Sequence, residues 1–150
     1  ETKAVVKNWP FSVILIEGAN VENKYDAFAA SDVAIACSGT VALELALANT
    51  PYVTIYKMSW LSAIVAKIFV KVPYVNIINI LLDKEVVPEL LLENCKPNLI
   101  LLELKNILND IDSQMRQREN FIKALDMVAI HDQPPSERAA KAILETINST

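Results

Sequence analysis

Glycine is nearly missing, with 2 in 150 residues. A Gly-x-x-x-x-Gly-Lys-Ser/Thr phosphate loop or a Gly-x-Gly-x-x-Gly dinucleotide fingerprint needs more than one glycine in a single turn, so ATPase and dehydrogenase readings fall together. Ser38 precedes Gly39 without the Gly-x-Ser-x-Gly frame of a nucleophile elbow, which removes the common hydrolase reading. Cysteine is equally scarce: Cys37 and Cys95 sit in no Cys/His spacing that holds zinc, and they read as reduced thiols of a cytoplasmic protein with no bound metal. The one histidine, His131, is followed by Asp132 and then by Pro134-Pro135, and reads as a solvated loop residue rather than a catalytic base. Positive charge is also short. With 14 Lys and Arg against 18 Asp and Glu, the net charge of -4 argues against a nucleic-acid partner, which would need a basic face to displace counterions. Lys67, Lys71, Asp83 and Lys84 interrupt the most apolar region, so no run reaches the roughly 18 residues of a membrane span.

What is present is apolar: 53% of the residues are hydrophobic, enough for one well-buried core. The chain opens on Glu1-Thr2-Lys3 with no initiator Met and no leader pattern, which reads as part of something longer. Phe11 to Ile16, Val33 to Cys37 and Tyr52 to Tyr56 are short apolar, β-branched runs and are expected strands. Glu22 to Ala30 and Thr40 to Ala48 lie between them with helix-forming composition, so the pattern is βαβαβ with right-handed crossovers. The expected class is therefore α/β, a Rossmann-like doubly wound parallel sheet. Further along, a very apolar helix is expected from Ser59 to Val70, and Tyr74 to Ile80 reads as extended or loop. A short helix is expected from Val86 to Leu92 with Pro88 in its first turn, and a longer one from Asn98 to Asn109. Ile111 to Met127 reads as a surface helix with the stripe Ile111, Met115, Phe121, Ile122 and Leu125. Ser136 is the expected cap of a last helix carrying Ala139, Ala140, Ile143, Leu144 and Ile147.

Ligands of open parallel sheets bind beyond the carboxyl ends of the strands, and Ser38-Gly39-Thr40 falls there. Two hydroxyls, a glycine that lets a phosphate approach the backbone, and the free N–H groups of a helix start make an anion site. Glu44, one turn on, lies among Val41, Ala42, Leu43, Leu45, Ala46 and Leu47 with no basic residue nearby in sequence, and wants donors such as the two hydroxyls of a ribose. The bland alternative stays open: a simply capped helix with Glu44 at its surface. Lys57 emerges on the same sheet edge as a phosphate or sugar contact, or as an ordinary surface lysine. Trp60, Phe69 and Tyr74 with Lys67 and Lys71 suit either a peripheral membrane contact through residues 59–74 or a protein interface, a homodimer included.

The run Ala30-Ser31-Asp32-Val33-Ala34-Ile35-Ala36-Cys37-Ser38-Gly39-Thr40-Val41-Ala42-Leu43-Glu44, followed by Pro51-Tyr52-Val53-Thr54-Ile55-Tyr56-Lys57-Met58, resembles the C-terminal domain of the lipid-A-disaccharide synthase family, family 19 of the glycosyltransferases. Tyr74-Val75-Asn76-Ile77-Ile78-Asn79-Ile80-Leu81-Leu82 and Glu85-Val86-Val87-Pro88-Glu89-Leu90-Leu91 extend the likeness, with Ile78 in place of a usual proline and Asp83 in place of a glycine. The resemblance implies the C-terminal half of a GT-B enzyme, with residues 1–110 as the nucleotide-sugar-binding domain. Residues 111–150 would be extra helices packing on it, on an N-terminal domain or on a partner subunit. It further implies an inverting, metal-independent hexosyltransferase of lipid A and lipopolysaccharide biosynthesis, located in the cytoplasm and peripheral at the inner membrane. The enzyme would join UDP-2,3-diacylglucosamine to 2,3-diacylglucosamine 1-phosphate and needs no cofactor. On that basis Ser38, Gly39 and Thr40 contact the diphosphate, Glu44 contacts the ribose and Asn79 lies in the donor cleft. The catalytic base is expected on an N-terminal domain, so this chain alone should bind without catalysing. A UDP-N-acetylglucosamine 2-epimerase-like enzyme and a non-catalytic Rossmann-like interaction module are the competing readings.

Overall fold

The computed structural model describes residues 2–16, 21–37, 39–57, 73–129 and 135–148. Its centre is a three-stranded parallel sheet in the order β1 (Ala34–Cys37), β2 (Tyr52–Tyr56), β3 (Glu89–Leu91). Ala34 stands opposite Tyr52, and Thr54 opposite Glu89. The class is α/β with a parallel sheet flanked by helices, as the alternation of apolar runs and helical segments predicts. Helices α1 (Thr2–Val6) and α2 (Val21–Ala29) precede β1, and α3 (Val41–Leu47) joins β1 to β2. Past β2 come α4 (Ile77–Leu82), β3, a single 3₁₀ turn, α5 (Pro97–Asn109), α6 (Ile111–Val128) and α7 (Pro135–Asn148). The expected helix at 59–70, with Trp60, Lys67, Phe69 and Lys71, lies outside the described residues, as do Ser38, His131 and Asp132. No helix among the described residues is long and apolar enough to cross a membrane.

The core gathers Ala36 of β1, Ala42, Leu45 and Ala46 of α3, Tyr52 of β2, Ile78 of α4 and Val87, closed by Phe121 and Ala124 of α6. Helices α3, α4 and α6 pack on one another, while α5 packs on β2 and on α6. Tyr52 and Phe121 stack with ring centroids 5.6 Å apart, an offset arrangement that adds to their burial. In a parallel ladder a residue's N–H and C=O both point to the same neighbour. The Thr54 N–H reaches the Pro88 carbonyl at 2.9 Å, so alternate residues of β2, Tyr52 included, face the β3 side. At Tyr52 that strand has not yet begun. Gln117 fills the gap: its Oε1 accepts from the Tyr52 N–H at 3.0 Å and its Nε2 donates to the Tyr52 carbonyl at 3.3 Å, so a side-chain amide stands in for a strand's peptide.

Five sequence expectations need correction. Phe11–Ile16 pairs with no strand among the described residues and is exposed, Ile14 by 87%. An apolar run reports a wish for cover, and a strand exists only where a partner backbone supplies the ladder. Tyr74 to Ile80 is not wholly extended, because the Asn76 side chain accepts from the Ile78 N–H and starts α4, and Asp83 ends it in the left-handed region that substitutes for a glycine cap. Val86 to Leu92 is not a helix: Glu89–Leu91 within it form β3, their pairing to β2 overriding local preference. The buried face of α6 is Gln117, Phe121 and Ala124, while Ile111, Met115 and Ile122 are exposed. The position of Tyr52 selects that face. Ser136 lies within α7, one residue after its first, rather than capping it.

Replacing Gln117 with alanine leaves the Tyr52 N–H and C=O buried and unpaired, and should cost about 2–4 kcal/mol in a urea titration. Burial pushes the Tyr52 phenol above its usual range, Asn76 opposing through a hydrogen bond and the Glu89 charge adding to the rise. The fold thus favours the neutral phenol. That contribution is complete below the unfolded value near pH 10 and is lost progressively above it. The urea midpoint should hold steady to about pH 9.5 and then fall, and Tyr52→Phe should remove that part of the decline.

Candidate functional site

The turn after β1 is where the chain's scarce glycine is used. Gly39 has φ of 141°, a conformation that side chains rarely adopt, and a Cβ placed on it would meet no atom within 4 Å. The backbone therefore requires glycine here for its conformation, not for lack of room, and its Cα faces open space. Thr40 precedes α3 in helical geometry, and its hydroxyl makes no capping bond. The carbonyls of Gly39 and Thr40 accept from the N–H groups of Ala42, Leu43 and Glu44, closing the first turn. At seven residues α3 is too short to act as the strong dipole that the sequence pattern suggests, so positive charge at the site must come from side chains.

One such side chain is Lys24, which sequence reasoning missed. Its ammonium donates to Glu44 Oε1 at 2.7 Å, and the Tyr25 hydroxyl donates to the same oxygen at 3.3 Å. Lys24 also lies 4.9 Å from the centroid of the Tyr25 ring. The hydrogen bond that Lys24 donates to Glu44 raises the lysine's pKa, helped by the carboxylate charge and opposed in part by burial. Both members of the pair remain about a quarter exposed, so Glu44 keeps access to solvent while tying α2 to α3. The expectation that Glu44 lacks a basic neighbour holds along the sequence and fails in space. Nothing local in residues 40–48 signals a lysine twenty positions upstream. Lys57 follows β2 directly and is exposed at the same end of the sheet.

Asn79 makes its hydrogen bonds to a different segment. It is fully buried, and its Nδ2 donates to the Val87 carbonyl and to Glu89 Oε1, each at 2.8 Å. Its Oδ1 accepts from the N–H groups of Val86 and Val87 at 2.8 and 2.9 Å. All four hydrogen-bonding positions of the amide are thus used inside the protein, which leaves none for a ligand in the donor cleft. Glu89 in turn accepts from the backbone N–H groups of Val75 and Asn76. Asn76, also fully buried, donates to Thr54 Oγ1 at 2.6 Å and exchanges hydrogen bonds with the Tyr52 hydroxyl. A signal for Glu89 was present, since a carboxylate inside the apolar run Val86 to Leu92 demands buried donors by the same reasoning that singled out Glu44. No cluster of three or more potential metal ligands occurs among the described residues.

Asn79→Ala should leave three backbone groups of residues 86 and 87 without partners and cost about 3 kcal/mol or more, measured by urea unfolding. A merely exposed cleft residue would change stability by less than about 0.5 kcal/mol.

Residues 3–144 match the family model described as lipid-A-disaccharide synthetase. A lipid-A-disaccharide synthase of Rhodospirillum centenum is 42% identical over 142 residues, covering 95% of this chain and 35% of that protein. The enzyme of the same name from Paramagnetospirillum magneticum is 38% identical over 149 residues, covering 98% of this chain and 37% of the relative. A probable mitochondrial lipid-A-disaccharide synthase of Arabidopsis thaliana is 39% identical over 111 residues, covering 74% and 24% respectively. The chain spans little more than a third of the length of the bacterial relatives it matches.

Proposed function

The chain belongs to the lipid-A-disaccharide synthetase family, and from that premise we propose that residues 1–110 form the nucleotide-sugar-binding unit of an inverting GT-B glycosyltransferase. The single observation that carries the reading is the Gly39 turn: an obligatory glycine with open space over its Cα, at the carboxyl end of β1, one helical turn before Glu44. A diphosphate fits such a turn because oxygen atoms can approach the backbone without meeting a side chain. In this scheme the Gly39 amide and the hydroxyls of Ser38 and Thr40 donate to the UDP diphosphate, and Glu44 accepts from the ribose hydroxyls. Lys57 supplies charge at the same edge. Asn79 acts through the 86–89 segment it holds and makes no direct contact with the donor sugar.

The proposed reaction rests on the family assignment, with those contacts supplying the donor site. A 2,3-diacylglucosamine 1-phosphate hydroxyl loses its proton to a base outside this chain and attacks the anomeric carbon of UDP-2,3-diacylglucosamine. The bond from that carbon to the diphosphate oxygen breaks with inversion, and the donors around Gly39 stabilise the charge on departing UDP. By itself the chain binds and does not catalyse. Residues 111–150 add helices, of which α6 packs on α3 and α4. In this scheme the protein works in the cytoplasm and meets its acylated substrates at the inner membrane surface through residues 59–74. The family assignment favours this reading over an epimerase-like enzyme or a non-catalytic module.

Calorimetric titration of UDP in the presence of EDTA should show one saturable site. Glu44→Ala should weaken it about 10- to 100-fold, the range of a hydrogen bond to a charged group. Equal affinity in the variant would remove Glu44 from the site, and binding only in the presence of a divalent metal would overturn the metal-independent assignment.

A further inference from the structure

Glu44 is the one charged residue of α3, and the protein treats its two carboxylate oxygens differently. Oε1 accepts from the Lys24 ammonium at 2.7 Å and from the Tyr25 hydroxyl at 3.3 Å. Two donors fill the two lone pairs of that oxygen. Oε2 accepts no hydrogen bond among the described residues, so the acceptor capacity that they leave unused is all on Oε2.

The two donors come from a helix that is itself anchored. Phe28 of α2 packs against the core, its carbonyl accepts from the buried Thr50 hydroxyl at 2.6 Å, and its ring meets the Tyr25 ring edge-on at 6.1 Å. Lys24 lies four residues before Phe28 and so on the same face of α2, the face turned toward the core. Its ammonium is 4.9 Å from the Tyr25 centroid, within reach of a cation–π contact. An ion pair with both members about a quarter exposed contributes little to folding. Its effect on a ligand is larger. A free glutamate must freeze its side-chain torsions when it accepts from a ligand, which costs about 2- to 10-fold in affinity, and the bonds to Oε1 freeze them beforehand.

We infer that Lys24, assisted by Tyr25, is a positioning residue for nucleotide binding: by occupying Oε1 it presets the Glu44 carboxylate so that Oε2 accepts from the ribose hydroxyls. The inference rests on the ribose role proposed above for Glu44 and adds the residue that sets its geometry. Lys24 itself touches neither the sugar nor the phosphates.

Calorimetry with UDP and with 2′,3′-dideoxy-UDP, which lacks both ribose hydroxyls, separates orientation from charge. The ionic strength is kept near physiological, where exposed charges are screened beyond about 8 Å. Lys24→Met keeps the length of the side chain and removes the ammonium. The variant should keep its circular dichroism and nearly keep its urea midpoint. It should bind UDP about 2- to 10-fold more weakly, and most of that loss should vanish with the dideoxy nucleotide. Lys24→Arg, which can still donate to Oε1, should restore the wild-type affinity for UDP. Tyr25→Phe should weaken UDP less than Lys24→Met does, because its neutral bond is the longer and weaker of the two. An equal loss for both nucleotides would make Lys24 a charge acting on the diphosphate, or show that α2 has moved, and would overturn the inference. Unchanged UDP binding by Lys24→Met would overturn it too, as would tighter binding, which would make the pair a latch over the site. Wild-type protein that binds the two nucleotides equally, or binds neither, would remove the ribose role of Glu44 and the inference with it. Wild-type preference for UDP that survives Lys24→Met intact would remove the inference alone.

Discussion

The central strand of this sheet can be buried only if every one of its backbone groups finds a partner. A peptide group left unpaired away from water costs as much as several methylene groups gain by burial, so the demand is strict. β2 meets it with β1 on one side and, on the other, with two partners in succession: the Gln117 side chain at Tyr52 and then the backbone of residues 88 to 91. Much else follows from that splice. Gln117 fixes the rotation of α6, and its rotation brings Phe121 onto the Tyr52 ring and Ala124 into the core. Helix α6 in turn closes α3 and α4 from outside.

A second set of buried polar groups performs the corresponding task for the connection between β2 and β3. Asn76, Asn79 and Glu89 hold one another, the Tyr52 and Thr54 hydroxyls and the backbone of residues 75 to 87. Such a network fixes one conformation because a shift of any member leaves another unpaired at low dielectric. It joins the start of α4 to the segment that leads into β3. Asn79 braces the segment that leads into the neighbouring strand.

The Gly39 turn has the opposite character. Gly39 and Thr40 are exposed, the threonine hydroxyl has no capping duty, and Glu44 is held by a partly exposed lysine and tyrosine rather than locked in the core. Rigid support from buried amides and open chemistry at a loop tip are the usual division of labour in open α/β folds, where the scaffold positions and the loop binds.

The sequence by itself determined the class of fold, because β-branched apolar runs alternating with helical segments leave a parallel sheet as the economical way to bury both. It also determined the importance of Gly39, since a chain this poor in glycine spends one only where φ must be positive. Residues 86 to 92 and 11 to 16 show the boundary of that legibility. Both are apolar and short, yet residues 89 to 91 of one became β3 and the other pairs with nothing described, because strand pairing is decided by a neighbour's backbone and not by local composition. The tertiary structure alone decided the partners: Lys24 for Glu44, Gln117 for Tyr52, and the amide of Asn79 turned inward. These are contacts between residues 20, 65 and 8 positions apart. Hydrogen bonds depend on distances and directions that only the packed chain sets, whereas hydrophobic patterning repeats along the chain and can be read before it folds.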